Sequence, residues 1–242
     1  MSASSLRPLT GLGLVMAGLA LVLLGGALLL AALNAANAQR FLDAWGRTGQ
    51  TPDAQAFAAA EAAAIRAIRL HPGASGEAWD RLGRVYSWAH WQAPVTQRNT
   101  PIKPMPAARL LKSPLGAGGA ADTRATRRRA LIALEKAVQH RPLWPYGVVR
   151  LADAQRRAGV DGAALSQTLE RAFALGPWRP AVNRRIAGIG LRGWRWLTPA
   201  ARDVVLTNAR RAVRYSAADR RHIIEVAEQT GKRLIIDTLV LP

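Results

Sequence analysis

One apolar stretch near the N-terminus constrains this chain more than any other feature. Between Leu9 and Leu33 there are 25 residues without a charged side chain. As an α-helix this stretch is about 38 Å long, which exceeds the roughly 30 Å hydrocarbon core of a bilayer. The sequence therefore predicts a transmembrane helix at residues 9–33, preceded by a short tail at residues 1–8.

A cleaved signal peptide is the competing interpretation of the same stretch. Ala36, Asn37 and Ala38 have the small-residue form of a signal-peptidase site. The apolar run is nevertheless longer than the core of about 7–15 residues that signal peptides carry. Its length favours a retained anchor and a single-pass membrane protein.

The charges on either side of the span give little contrast for its orientation. Arg7 precedes it, and Arg40 and Arg47 follow it. A short tail before a first span generally stays in the cytoplasm, and long following domains are translocated largely regardless of their own charge. We therefore expect a bacterial inner-membrane protein whose residues after about 39 lie in the periplasm.

The rest of the chain is strongly basic. It has 34 Lys and Arg residues against 15 Asp and Glu residues, which gives a formal net charge of +19. Such a surface favours anionic partners, although arginine-rich codon usage in a GC-rich genome is an alternative explanation. Cysteine is absent, which excludes disulfides, thiolate metal sites and cysteine nucleophiles.

Residues 52–242 carry a periodic pattern typical of helical repeats. The stretch Trp79-x-x-Leu82-Gly83-x-x-Tyr86 matches the first helix of a tetratricopeptide repeat. Helix-ending prolines at 72, 142 and 177 are separated by 70 and 35 residues, close to two and one copies of such a repeat. Small residues occupy the expected helix-crossing positions before these prolines, namely Ala60, Ala67, Ala130, Ala137 and Ala172. The predicted fold is all-α: one transmembrane helix followed by a tetratricopeptide-like α-solenoid.

Three segments fall outside this repeat pattern. Residues 34–51 are predicted to be a linker or an extension of the transmembrane helix. Residues 92–122 are rich in Pro and Gly and are predicted to be an irregular insertion. The apolar C-terminal segment 233–242 is expected to form a terminal cap or a short strand.

Several motifs together resemble a known family. They are Trp79-x-x-Leu82-Gly83-x-x-Tyr86-x-Trp88, Arg141-Pro142-x-Trp144-Pro145-Tyr146, Leu175-Gly176-Pro177-Trp178-x-Pro180-Ala181-Val182 and Gly188-x-Gly190-Leu191. With the N-terminal span, these segments make the chain similar to the VpsP-like proteins of exopolysaccharide biosynthesis. The resemblance implies a small inner-membrane accessory protein of a polysaccharide or capsule export system, without an assigned catalytic activity.

The sequence offers no catalytic constellation. The four histidines lack the close spacing of metal ligands on one helix, and no serine nucleophile motif or phosphate-binding loop is present. Carboxylates, Glu61 and Asp80 among them, mostly have basic neighbours and are predicted to form exposed ion pairs. We therefore expect no enzyme activity, no catalytic or metal-binding residues and no cofactor.

A binding surface is instead predicted on the first helices of the repeats. Trp79, Trp144 and Trp178 are expected to wedge between repeats, whereas Trp88 and Trp91 are candidates for an exposed platform. The candidate binding residues are Arg84, Trp88, Trp91, Tyr146, Asp153, Arg157 and Arg184. The expected partners are the membrane and other proteins of a polysaccharide synthesis and export complex. An anionic polysaccharide or lipid headgroup on the Arg-rich face is the alternative, and nucleic acid is not expected because the arginines are scattered.

Overall fold

The part of the chain that the structure describes is built from helices and turns, without a β-strand. The computed structural model describes residues 7–73, 75–93 and 105–241. One of the helical segments is a short 3-10 helix, Trp194–Trp196. The α-helices are α1 (Arg7–Thr48), α2 (Ala54–Leu70), α3 (Gly76–Ala89), α4 (Ala107–Lys112), α5 (Gly116–Gly119), α6 (Thr123–His140), α7 (Pro145–Ala158), α8 (Gly162–Leu175), α9 (Pro180–Gly193), α10 (Pro199–Tyr215), α11 (Ala217–Gln229) and α12 (Arg233–Leu239).

The first helix has two parts with different surroundings. Its apolar part is exposed, as at Leu14 (75%) and Leu30 (50%), and it is long and apolar enough to cross a membrane. Its second part is packed, with Ala38 fully buried and Leu42 and Trp45 nearly so. Because α1 continues without a break to Thr48, residues 34–48 extend the helix into the domain.

Most helix starts follow from their sequence. The side chains of Asp53, Asp122 and Ser216 accept backbone N–H hydrogen bonds at the starts of α2, α6 and α11. Pro145 and Pro180 occupy the first turns of α7 and α9, where a missing N–H has no cost. The predicted C-terminal segment is the short helix α12 and not a strand.

The helices pack as successive pairs, α1 with α2, α3 with α6, α7 with α8 and α9 with α10. Further contacts join α6 to α7, α7 to α9 and α8 to α10, so each pair stacks on the next. The buried apolar residues form two clusters, and α6 contributes to both: Ala130 and Ala137 to one, Leu134 and Val138 to the other. Helix α6 therefore joins the part nearest α1 to the rest of the domain.

Equivalent positions of successive first helices are buried. Helices α7 and α9 begin 35 residues apart, and Leu151 and Ile186 are both core residues at the same distance from those starts. The predicted crossing residues Ala60, Ala67, Ala130, Ala137 and Ala172 are all at most 3% exposed. At Gly83 a Cβ atom would lie 2.6 Å from Leu134 Cγ, so α3 and α6 touch where only glycine fits.

The predicted insertion at 92–122 contains two short helices. Residues 94–104 lie outside the described residues, as do residues 1–6 of the predicted tail and the last residue of the C-terminal segment. The second half of the insertion contains α4 and α5, and α5 packs on α2. The break in the repeat pattern thus falls between α3 and α6, which still pair directly.

Candidate functional site

Basic side chains of the first helices line a groove that begins beside α1. A cavity of about 340 Å³ opens between α1, α3 and α7. Its lining residues are Gln39, Glu77, Asp80, Arg81, Arg84, Arg141, Trp144 and Arg150. We call the side chains of Arg81, Arg84, Arg150, Arg157, Arg184, Arg185 and Arg192 the arginine face.

One wall of the cavity is an ion pair between α3 and α7 in which a single guanidinium nitrogen donates to both carboxylate oxygens. Arg150 Nη1 lies 2.9 Å and 3.1 Å from the two carboxylate oxygens of Asp80, which is 2% exposed. Burial raises the pKa of Asp80, and the neighbouring Arg150 and Arg84 oppose that rise. The guanidinium of Arg150 also lies 5.0 Å from the ring centre of Trp144, and that of Arg141 lies 4.2 Å from it. The ring of Trp144 therefore lies against two guanidinium groups, one of which belongs to the ion pair.

A second cluster lies at the C-terminal ends of α3 and α7. Asp153 accepts hydrogen bonds from Arg156 Nη2 at 2.7 Å and from Arg157 Nε at 2.9 Å. Burial favours the neutral acid, but these two guanidinium groups outweigh it and hold the pKa of Asp153 below its usual range. Arg157 also lies over the ring of Trp91 at 5.1 Å, and Trp91 contacts Trp88 at 5.2 Å between ring centres.

This aromatic cluster reaches back to the first helix. The rings of Trp88 and Trp45 lie 6.5 Å apart, and Trp45 contacts Phe41 at 5.9 Å. Trp91 is 46% exposed, whereas Trp45 is buried. The exposed end of the cluster is thus connected by ring contacts to the helix that carries the apolar span.

Three members of the arginine face have no carboxylate partner among the described residues. Arg84 donates only to the neutral amide of Gln39, at 3.2 Å. Arg192 reaches the carbonyl of Gly188 and the amide of Gln229, and Arg185 makes no hydrogen bond or ion pair with the described residues. Burial, followed by repulsion from other arginines, lowers the pKa of all three. Nearby carboxylates such as Asp80 and Asp153 offset part of these charges, but none of the three arginines forms a direct ion pair with the described residues.

The residues that were predicted to form a binding surface lie in several separate places in the structure. Trp88, Trp91, Asp153 and Arg157 lie together at the α3 and α7 ends, and Arg84 lies beside Asp80 and Arg150. Arg184 forms a 2.9 Å ion pair with Asp219 of α11. Tyr146 lies apart at the start of α7, where its ring contacts Trp144 and Arg179.

Arg150, Arg185 and Arg192 were missed by sequence reasoning, although a signal for them exists. Arg150 and Arg157 lie 35 residues before Arg185 and Arg192, so α7 and α9 carry arginines at the same two positions. Adjacent arginines such as Arg184 and Arg185 do not indicate a shared face by themselves, because neighbouring residues on a helix point about 100° apart. The 35-residue offset between α7 and α9 instead indicates a shared surface, because it places Arg150 equivalent to Arg185 and Arg157 equivalent to Arg192.

Two carboxylates that were predicted to be exposed are buried. Besides Asp80, Glu61 on α2 is fully buried. Its Oε1 accepts from Tyr86 Oη and from the N–H of Leu115, and its Oε2 accepts from the N–H of Gly116, each at 2.8 Å. Glu61 therefore fixes the insertion against the domain, a contact between residues more than 50 positions apart.

Within the described residues, no group of three His, Asp or Glu side chains is placed to hold a metal ion. The arrangement instead offers hydrogen-bond donors and positive charge, which suit carboxylate or phosphate groups. Searches against family models, curated proteins and solved structures found no match to this chain.

Proposed function

We propose that this chain is a single-pass inner-membrane protein that acts as an accessory or scaffold protein of bacterial exopolysaccharide or capsule synthesis and export. The membrane attachment rests on α1, which is exposed and apolar over the length of a bilayer. The polysaccharide setting rests on the motif resemblance in the sequence. The periplasmic side of the domain in this proposal rests on the short tail before the span, because such tails generally stay in the cytoplasm and long following domains are translocated largely regardless of charge.

The domain in this proposal is a tetratricopeptide-like repeat array. Paired helices, the 35-residue offset between α7 and α9 and the close approach at Gly83 support that assignment. Repeat arrays of this kind expose a continuous surface formed by equivalent positions of successive helices. Arg150 and Arg185, and likewise Arg157 and Arg192, occupy such equivalent positions.

The unpaired arginines carry the functional part of the proposal. Arg84, Arg185 and Arg192 form no ion pair with a carboxylate among the described residues, and burial, followed by repulsion from neighbouring arginines, lowers their pKa values. Mutual repulsion of this kind is relieved when an anion binds. We infer that the groove holds an acidic segment of a partner protein in the export machine.

Gene deletion with complementation tests this role. Deleting the gene is expected to reduce polymer output or change polymer chain length. Wild-type protein should restore output, whereas the triple variant Arg84→Gln, Arg185→Gln, Arg192→Gln should not.

A matched control changes the same number of charges elsewhere. Arg47, Arg124 and Arg220 are exposed, and their side chains make no hydrogen bond or ion pair with the described residues. Their triple glutamine variant should complement like wild type. Unaltered polymer after deletion would refute the polysaccharide assignment. Equal complementation by both triple variants would refute the role of the groove in binding a partner.

The same unpaired arginines favour a second candidate, direct binding of an anionic polysaccharide. In that case the purified full chain should bind a polyuronate, and the affinity should fall steeply with salt as counterions compete. The groove triple variant should lose this binding, and the control triple variant should keep it. Absent or salt-insensitive binding of the polyuronate leaves the protein partner as the ligand of the groove.

A further inference from the structure

The turns that connect α2 to α3, α6 to α7, α8 to α9 and α10 to α11 lie at one end of the domain, which we call the anchor-side edge. Helix α2 runs antiparallel to the second part of α1, and Arg66 Nε donates to Asn34 Oδ1 at 3.1 Å. Asn34 directly follows the predicted span, and Ala31 of the span is already buried against the domain. The end of α2 therefore lies level with the end of the apolar stretch.

Packing contacts and hydrogen bonds connect each of the following turns to the one before it. Gly76, at the start of α3, packs against the side chain of Arg141 in the turn before α7. Arg171 of α8 donates to the carbonyl of Pro142 at 2.9 Å. Arg211 of α10 donates to the carbonyl of Pro177 at 2.6 Å, which repeats the same interaction one helix pair later. The turns thus form one continuous edge that starts at α1.

Large apolar side chains project from this edge at equivalent positions. Leu143 and Trp178 are 35 residues apart, each directly follows a helix-ending proline, and each is 78% exposed. Tyr215, at the end of α10, is 65% exposed. The prediction that Trp178 wedges between repeats is wrong, because Trp178 is equivalent to Leu143 and not to the partly buried Trp144.

Cations accompany these apolar side chains. The guanidinium of Arg211 lies 4.1 Å from the ring centre of Trp178. Arg69, Arg179 and Arg214 are exposed near the same turns. Exposed tryptophan, tyrosine and leucine beside arginine are the residues that favour the headgroup region of a bilayer, where the ring meets acyl chains and the guanidinium meets phosphate.

We propose that the anchor-side edge docks on the anionic phospholipid surface of the membrane that α1 spans, with Leu143 and Trp178 at the level of the headgroups. This docking rests on the membrane anchoring in the proposed function and is independent of the groove and its ligand. Continuity of α1 brings the edge to the bilayer, and the positive charge of the edge complements anionic lipid.

Single-cysteine labelling tests this proposal without a background, because the chain contains no cysteine. The variants Leu143→Cys and Trp178→Cys would each carry an environment-sensitive fluorophore in the full chain, reconstituted into vesicles that contain nitroxide-labelled phospholipid. Asp161→Cys, in the exposed turn at the opposite end of α7, is the negative control. Leu33→Cys, in the apolar stretch, is the positive control for anchoring.

In vesicles with phosphatidylglycerol, both edge labels should be quenched to at least about half the extent of the Leu33 label, as expected for insertion by roughly 5–10 Å. Quenching at both edge positions should fall in purely zwitterionic vesicles, and the Asp161 label should stay unquenched in both. Edge labels no more quenched than Asp161, with Leu33 quenched, would overturn the docking and leave the anchor. Equal quenching at Asp161 would also overturn it, and an unquenched Leu33 label would refute the anchoring itself.

Discussion

Replacing Glu61 by alanine is expected to destabilise the domain severely, although the change removes a single charge from a very basic chain. Glu61 is fully buried on α2. Its carboxylate accepts hydrogen bonds from Tyr86 Oη and from the N–H groups of Leu115 and Gly116, each at 2.8 Å, and Arg129 Nη1 lies 3.8 Å away. Alanine leaves three donors and one guanidinium without their acceptor.

The size of the effect follows from these contacts. Removing one partner of a buried ion pair costs about 3–5 kcal/mol, because the other charge remains buried. The hydrogen bonds to the same carboxylate fall within this range, since contacts that share one group are not additive. In a chain of this size about 1 kcal/mol lowers the melting temperature by roughly 2–4 °C, so a decrease of about 6–20 °C is expected.

Circular dichroism of the full chain in detergent measures that decrease. Glu77→Ala is the matched control, because Glu77 is 62% exposed and its pair with Arg81 is worth at most about 1 kcal/mol. Amide hydrogen exchange gives an independent readout, since the N–H groups of Leu115 and Gly116 should lose protection only in the Glu61 variant. A melting temperature for Glu61→Ala equal to that of Glu77→Ala would refute the reasoning.

Two further predictions concern pH and packing. Burial, followed by repulsion from Arg157, lowers the pKa of His90 to about 3. The contribution of His90 to stability is therefore fully present above its pKa of 6.5 in the unfolded chain, and it is lost as the pH falls towards 3. The shift corresponds to at most about 5 kcal/mol of unfolding free energy. His90→Asn should reduce the pH dependence of the unfolding free energy over this range, whereas substitution of the exposed His140 by Asn should not. Gly83→Ala should destabilise by about 1–3 kcal/mol in urea unfolding because its Cβ overlaps Leu134, whereas Gly46→Ala, with nothing within 4 Å, should be neutral or stabilising. Equal effects of the two alanines would contradict the close packing of α3 and α6.

Local signals in the sequence predicted the helices well. Thr198-Pro199 is a residue pair that typically begins a helix, and Thr198 Oγ1 accepts from the N–H of Ala201 at the start of α10, at 3.3 Å. Ser216 caps α11 in the same way, since its Oγ accepts from the N–H of Asp219, while the Asp219 carboxylate pairs with Arg184. Such caps depend on residues within one turn, and the chain order alone therefore specifies them.

Long-range pairing set the limit of prediction. The partners of Glu61 come from an insertion more than 50 residues later, where no periodic pattern marks which side chain will be covered. Trp178 was expected to be buried like Trp144 because both are tryptophans. The 35-residue offset instead makes Trp178 equivalent to Leu143, and both of these side chains are exposed. The candidate site was only partly predicted for the same reason. Its acidic residues Asp80 and Asp219 pair with arginines on neighbouring helices, and the sequence alone does not show these pairings.

The unbroken α1 makes the domain a rigid lever on its own anchor. Thr48 lies about 22 Å beyond Leu33 along the helix axis, so a change of about 10° in helix tilt displaces it by roughly 4 Å. Membranes of different thickness change the tilt of a spanning helix, and no break in α1 separates its apolar part from its packed residues Leu42 and Trp45. In a protein anchored as proposed, bilayer thickness would thereby be coupled mechanically to the direction in which the arginine face points.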